Sequence, residues 1–316
     1  MTSALTFGSG DVADRRARGR LAAGAVAALF LVATASLGAS VPPRRLPPVG
    51  TTSSTVDAPR WRTVWEDRFD GPTVDRRRWD VEHSTFGDGN HELQCYTPGN
   101  VRTGPGGLVL EARRVAATCP SGSTRAFSSG MLRSRAAWAY GAFEARVRVP
   151  RGAGFLPAVW LLPQRYAYGR DGRSGELDVM EVVTDDPSEV RVTAHWSHAG
   201  ACGWGCRRYG RAAVVPGADA STAFHDYRLE WEPGRLTWFV DGDPVYELGE
   251  GAQRWASGAE RPVPGSATYP APFDAQNPMY LLVNLAVGGD TPGAPTAATP
   301  FPARMEVAWV RVQQRA

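Results

Sequence analysis

The 316-residue chain carries 35 glycines and 25 prolines against a charged fraction of 21%, a turn-rich composition that excludes a helical bundle and a disordered polymer. Its net charge is only +3 and its arginines are scattered, which excludes the basic stripe of a nucleic-acid binder. All 35 basic residues are arginine, so a lysine Schiff base and a phosphate-loop lysine are excluded as well.

In chain order, Arg15, Arg16, Arg18 and Arg20 precede LAAGAVAALFLVATASLGA, residues 21–39, an uncharged apolar run with small residues at Ala33-Thr34-Ala35 suited to cleavage. Residues 1–40 are therefore expected to be a signal peptide or an N-terminal membrane anchor. With the positive flank inside, the remainder is expected to be secreted or held on the outer face of the cytoplasmic membrane. Residues 41–59, VPPRRLPPVGTTSSTVDAP, read as a flexible tether. Residues 60–316 have the texture of one folded domain without internal repeats, expected to act as a monomer.

Short alternating or apolar segments separated by turn residues follow. LVLEARR (108–114), GAFEARVRV (141–149), PAVWLLP (157–163), ELDVMEVV (176–183), VRVTAHW (190–196), YRLEWEP (227–233), RLTWFVDG (235–242), MYLLVNLAV (279–287) and MEVAWVRV (305–312) have strand length and composition. Many strands at this spacing predict an all-β fold of two packed antiparallel sheets, a sandwich or jelly roll. Glu232-Pro233-Gly234 predicts a hairpin turn between two of them, a feature of fold rather than function. Eleven tryptophans exceed the needs of an ordinary core and suggest that some line a groove.

The four cysteines, Cys95, Cys119, Cys202 and Cys206, fit an oxidising compartment and allow three pairings. Cys202 and Cys206 are close enough for a local bridge, in which case Cys95 and Cys119 would staple two neighbouring strands. His195, His198, Cys202 and Cys206 also offer ligand types that could hold zinc, but their spacing matches no standard module. No metal and no cofactor are expected. HExxH and GxSxG are absent, removing the commonest zinc-protease and serine-hydrolase signals.

GELDVMEVV, residues 175–183, crowds Glu176, Asp178 and Glu181 onto one strand. Alternation puts Glu176 and Asp178 on one face and Glu181 on the other. A β-bulge near Val179-Met180 would return Glu181 to the face of its companions. Glu176 and Glu181 would then stand about four strand steps apart, roughly 13 Å between Cα atoms, a span that two leaning side chains can close to the ~5–5.5 Å of double-displacement glycoside hydrolysis. An acidic solvent face on an edge strand is the plain alternative, opposed by Leu177, Val179, Val182 and Val183, which mark a packed strand. Carboxylates whose proton affinities push each other apart can supply both an acid and a nucleophile.

These residues resemble glycoside hydrolase family 16, in particular its laminarinase-like endo-1,3-β-glucanases, whose motif is E, a hydrophobic residue, D, two residues and E. NHELQCYT (90–97), YGAFEARVRVPRGAGFLPAVWLLP (140–163), VTAHW (192–196), FHDYRLEWEPGRLTWFVDG (224–242), PMYLLVNLAVGGD (278–290) and MEVAWVRVQ (305–313) also look like family blocks in family order. The resemblance implies a concanavalin-like β-jelly roll with a concave sheet as the sugar cleft, and a retaining mechanism. It implies Glu176 as nucleophile, Glu181 as acid/base and Asp178 as keeper of the proton between them, with Trp160 as a sugar platform and His195 and Asn90 lining the cleft. The extra residue in the motif favours 1,3-β-glucan as the polysaccharide partner, with 1,3/1,4-β-glucan, agar and carrageenan as alternatives, and a transglycosylase or a non-catalytic glucan-binding protein as competing roles. Two departures stand out. Leu156 stands where relatives commonly carry tryptophan, and Ala308 where many carry a calcium-binding aspartate, so calcium is expected to be weak or absent.

Overall fold

Alternation along each strand decides the architecture. In Gly141–Arg148 the side chains of Phe143, Ala145 and Val147 are buried while Glu144, Arg146 and Arg148 are half-exposed, the signature of a sheet with one face in a core. A computed structural model describes residues 61–170, 172–196, 207–214, 219–249, 252–255, 260–262 and 272–316. The segments expected as signal or anchor (1–40) and as tether (41–59), together with His198, Cys202 and Cys206, lie outside the described residues. Each of the nine predicted segments contains a strand.

Two large antiparallel sheets pack face to face. One has strands in the order Arg207–Val214, Glu189–Trp196, Glu176–Glu181, Phe155–Pro163, Met279–Val287, Met131–Trp138 and Trp79–Val81. The other centres on His225–Glu232, Gly141–Arg148 and Ala303–Arg315. Phe143, Leu229, Trp231, Trp238 and Val310 of the latter meet Phe155, Val159, Leu161, Leu177, Leu281 and Val283 of the former in one buried cluster. Each such side chain contributes about 1.5–3 kcal/mol by leaving water. The predicted hairpin closes with Glu232 opposite Arg235, and Gly234 at φ 74° takes the left-handed conformation that only glycine adopts freely.

On its other face the seven-stranded sheet carries a second, smaller apolar cluster of Tyr96, Met131, Leu162 and Leu282, with Trp160 and Tyr280 packed against it. Tyr96 belongs to the strand Gln94–Tyr96, which pairs in parallel with Phe127–Ser129. The neighbouring Cys95 is bonded to Cys119 with a Cα–Cα separation of 5.8 Å. The expected pairing of Cys95 with Cys119 is present, and it ties Gln94–Tyr96 to the residue just past the short strand Ala117–Thr118, in the turn before Thr124–Arg125. Met131–Trp138 escapes the sequence pattern because Ser134 occupies a buried position and the ladder to Met279–Val287 shifts register beside it.

Candidate active site

The decisive local feature is the irregularity in Glu176–Glu181. Against its neighbour on one side, Glu176 pairs with His195 and Asp178 with Thr193, but Glu181 pairs with Arg191. Three residues on this strand are thus matched by two on the next. Against the other neighbour, Asp178 pairs with Trp160, Met180 with Val159 and Glu181 with Ala158, with the same register shift. This is the β-bulge predicted over Val179-Met180. Val179, Met180 and Val182 all enter the buried core, while Glu176 and Glu181 line a cleft of about 450 Å³ on the opposite face.

The register also selects the company these carboxylates keep, because residues directly opposite each other share a face. His195, opposite Glu176, sets Nε2 3.1 Å from Asp178 Oδ2 and 3.7 Å from Glu176 Oε1. Asp178 is 1% exposed, so this acid sits beneath the cleft surface rather than in it. Donor atoms of Glu176, Asp178 and His195 lie within 4.8 Å of one another, close enough to share a divalent cation. His195 therefore turns toward the two acids, and the rest of the zinc set considered from sequence lies outside the described residues.

A brace from the other sheet holds the bulge. The fully buried indole of Trp238 donates through Nε1 to the backbone oxygen of Asp178 at 2.7 Å. Sequence reading assigned the Trp238 hairpin to fold alone, and no pattern along the chain connects it to the acidic strand 60 residues away.

Trp160, opposite Asp178, lies half-buried on the cleft floor and donates from Nε1 to Asn284 Oδ1 at 2.7 Å. Its ring centroid is 5.9 Å from that of Phe86, with the planes tilted by 59°. Phe86 and Asn90 belong to the loop forming one cleft wall, whose short 3₁₀ helix is Asp88–Asn90. The backbone oxygen of Asn90 accepts from Asp290 N at 2.9 Å, tying this wall to the turn after Met279–Val287. The structure thus gathers Glu176, Glu181, Trp160, His195, Asn90 and Leu156 around one cleft, with Asp178 just below. Phe86, Glu92, Tyr96 and Asn284 are additions that sequence reading did not single out. The only available hint was that three of them fall in the blocks NHELQCYT and PMYLLVNLAVGGD.

Glu92 lies behind the wall. Burial pushes its carboxyl above the usual range, against hydrogen bonds from Gln94, Asn90 and Tyr96 that favour the charged form. Burial, followed by the nearby Glu92 charge, pushes the Tyr96 phenol well above its ordinary value.

A family model described as glycosyl hydrolases family 16 matches residues 88–311, a span that includes every carboxylate of the cleft. The chain belongs to family 16. This family 16 chain is 37% identical over 269 residues to a β-glucanase of Rhodothermus marinus, covering 81% of the chain and 86% of the relative. It is 35% identical over 237 residues to a glucan endo-1,3-β-glucosidase of Cryptopygus antarcticus, covering 73% and 82%. Among solved structures, the endo-β-1,3-glucanase of Pyrococcus furiosus superposes with a TM-score of 0.71 at 30% identity, over 82% of this chain and 97% of that one. The two-sheet sandwich with its concave face is accordingly the family 16 jelly roll.

Proposed function

We propose that the chain is a retaining endo-1,3-β-glucanase, with the bulge that brings Glu176 and Glu181 into one cleft as the observation carrying the reading. Supporting the choice of substrate are its relatives named as glucan endo-1,3-β-glucosidase and endo-β-1,3-glucanase. In the first step the carboxyl of Glu181 gives its proton to the glycosidic oxygen as a carboxylate oxygen of Glu176 attacks the anomeric carbon. The old C–O bond breaks, the shortened chain leaves as an alcohol, and a glycosyl ester on Glu176 remains. In the second step the Glu181 carboxylate takes a proton from water, whose oxygen attacks the anomeric carbon and releases Glu176.

Asp178 and His195 support this cycle from below. A charged carboxylate buried close to Glu176 would oppose the negative charge the nucleophile needs, and the His195 imidazole 3.1 Å from Asp178 Oδ2 can hold a proton against Asp178 and leave Glu176 ionised for attack. Trp160 and Phe86 present apolar ring surface to the flat faces of sugar rings, while Asn90 and His195 offer polar groups to hydroxyls. Export, free or anchored, belongs to the same reading and rests on the apolar run at residues 21–39 behind its arginines.

An activated aryl β-glucoside supplied with azide tests the roles. Glu176→Ala should yield the α-azide, because azide takes the nucleophile's face. Glu181→Ala should yield the β-azide, because azide intercepts the glycosyl ester in place of water. Exchanged stereochemistry would reverse the assignment, and laminarin hydrolysis undiminished in Glu176→Gln would end it. A wild-type protein that binds laminarin without releasing reducing sugar would be a glucan-binding module instead.

A further inference from the structure

Trp160 Nε1 donates to Asn284 Oδ1 at 2.7 Å. Asn284 Nδ2 donates to the Tyr96 hydroxyl at 3.0 Å, and that hydroxyl donates to Glu92 Oε2 at 3.4 Å. Glu92 Oε2 also accepts from Gln94 Nε2 at 2.7 Å, and Gln94 Oε1 accepts from Val287 N at 2.7 Å. Asn284, Tyr96 and Gln94 are buried at 6%, 0% and 1% exposure, where an unmade hydrogen bond is costly.

The two ends of this chain are chemically unlike. An indole N–H can only donate, and Glu92 Oε2 accepts from the Gln94 amide, whose own sense is fixed by the Val287 N–H on its oxygen. Every group between them is therefore held in a single sense: reversing the Asn284 amide would point its NH₂ at the indole N–H and its oxygen at a hydroxyl already directed to Glu92. Links polarised in one direction reinforce one another in a buried site. The same carboxylate also fits beneath the cleft wall, since a Cβ built on Gly87 would fall 2.1 Å from Glu92 Oε2. Gly87 follows Phe86, whose ring meets Trp160, so wall and floor are set from one buried point.

We propose that Glu92, Tyr96 and Asn284 are positioning residues that fix the ring plane of Trp160 in the cleft. This rests on Trp160 being a sugar platform for the consequence on binding, but not for the orientation itself. With its N–H committed to Asn284, the indole meets the substrate with ring surface rather than as a hydrogen-bond donor, a mode that tolerates rotation of the hydroxyl pattern from one sugar unit to the next.

Tyr96→Phe removes one hydroxyl and little volume, and the whole protein can be followed by the ¹⁵N-indole resonance that disappears in Trp160→Phe. In Tyr96→Phe that resonance should move upfield and its proton should exchange with water at least about ten-fold faster. KM for laminarin oligosaccharides should rise about three- to ten-fold, the range of one hydrogen bond, with kcat within two-fold. In the Trp160→Phe background, Tyr96→Phe should add nothing to KM, because coupled residues are non-additive. Glu92→Gln, which replaces the carboxyl end by an amide, should shift the same resonance, and serves in full if Tyr96→Phe does not fold. An indole resonance unmoved and equally protected in the folded variant overturns the proposal whatever the kinetics. A moved resonance with KM unchanged supports the orientation and removes Trp160 as a platform.

Discussion

The indole N–H of Trp238 donates to the backbone oxygen of Asp178 at 2.7 Å, so the sheet opposite the cleft reaches across the core to grip the strand bearing the three acids. The grip falls beside the bulge, where the ladder to each neighbouring strand changes register and the backbone has fewest constraints of its own. A hydrogen bond lost from a buried group costs about 1–3 kcal/mol.

Trp238→Phe keeps most of the apolar volume and removes that donor. The protein should lose roughly 1–3 kcal/mol of stability, and kcat should fall about ten-fold or more because small misplacements of reacting groups are expensive. Chemical denaturation and laminarin kinetics check both. A variant equally stable and equally active would show that the brace is dispensable.

Deleting Met180 removes the extra residue of the bulge. A regular strand would then carry Glu176, Asp178 and Glu181 at alternate positions, still on the cleft face. The expected result is a folded protein destabilised by about 2–4 kcal/mol through loss of the buried Met180 side chain, with laminarin hydrolysis reduced but above background. Hydrolysis lost to background in a variant that denaturation shows to be folded would mean that the bulge itself, beyond the shared face, sets the geometry of the acids.

Stability should also depend on pH through a site remote from the cleft. Glu111 is 4% exposed and is gripped by Arg102, Arg304 and Arg113. The hydrogen bonds from Arg102 lead in pulling its carboxyl from 4.5 down to about 2, against the opposing effect of burial. A depressed carboxylate pKa contributes stability that is fully present above the unfolded value of 4.5 and is lost as pH falls toward 2. After discounting for solvent around the arginines, the contribution is on the order of 2 kcal/mol. Wild type and Glu111→Gln should therefore differ in unfolding free energy at pH 6 and converge by about pH 2, as denaturation at a series of pH values would reveal.

The bridge between Cys95 and Cys119 closes a loop with a sequence separation of 24. In the chain-entropy account its removal should cost about 3 kcal/mol. Because Cys95 immediately precedes Tyr96, the double substitution Cys95→Ser, Cys119→Ser should also weaken laminarin binding in the protein that remains folded. Calorimetry together with KM measures the two effects. Lost stability with unchanged KM would confine the bridge to a structural role.

What the sequence determined by itself is what repeats locally. Alternation or a short apolar run marked nine segments that each contain a strand, and the extra residue between Asp178 and Glu181 marked the bulge, because side-chain direction along a strand follows from counting. The cleft acids were legible for that reason. Met131–Trp138 was not, since Ser134 takes a buried position and the ladder to Met279–Val287 shifts register beside it, which breaks the apolar alternation. Nor were Trp238, Asn284, Tyr96 and Glu92, whose roles exist only through partners 60, 124, 188 and 4 residues away. The last pair is near in sequence, but its partnership serves a ring on another strand. Packing two sheets and closing the wall loop over one of them made these hydrogen bonds, because a buried polar group takes whatever partner the fold brings within reach.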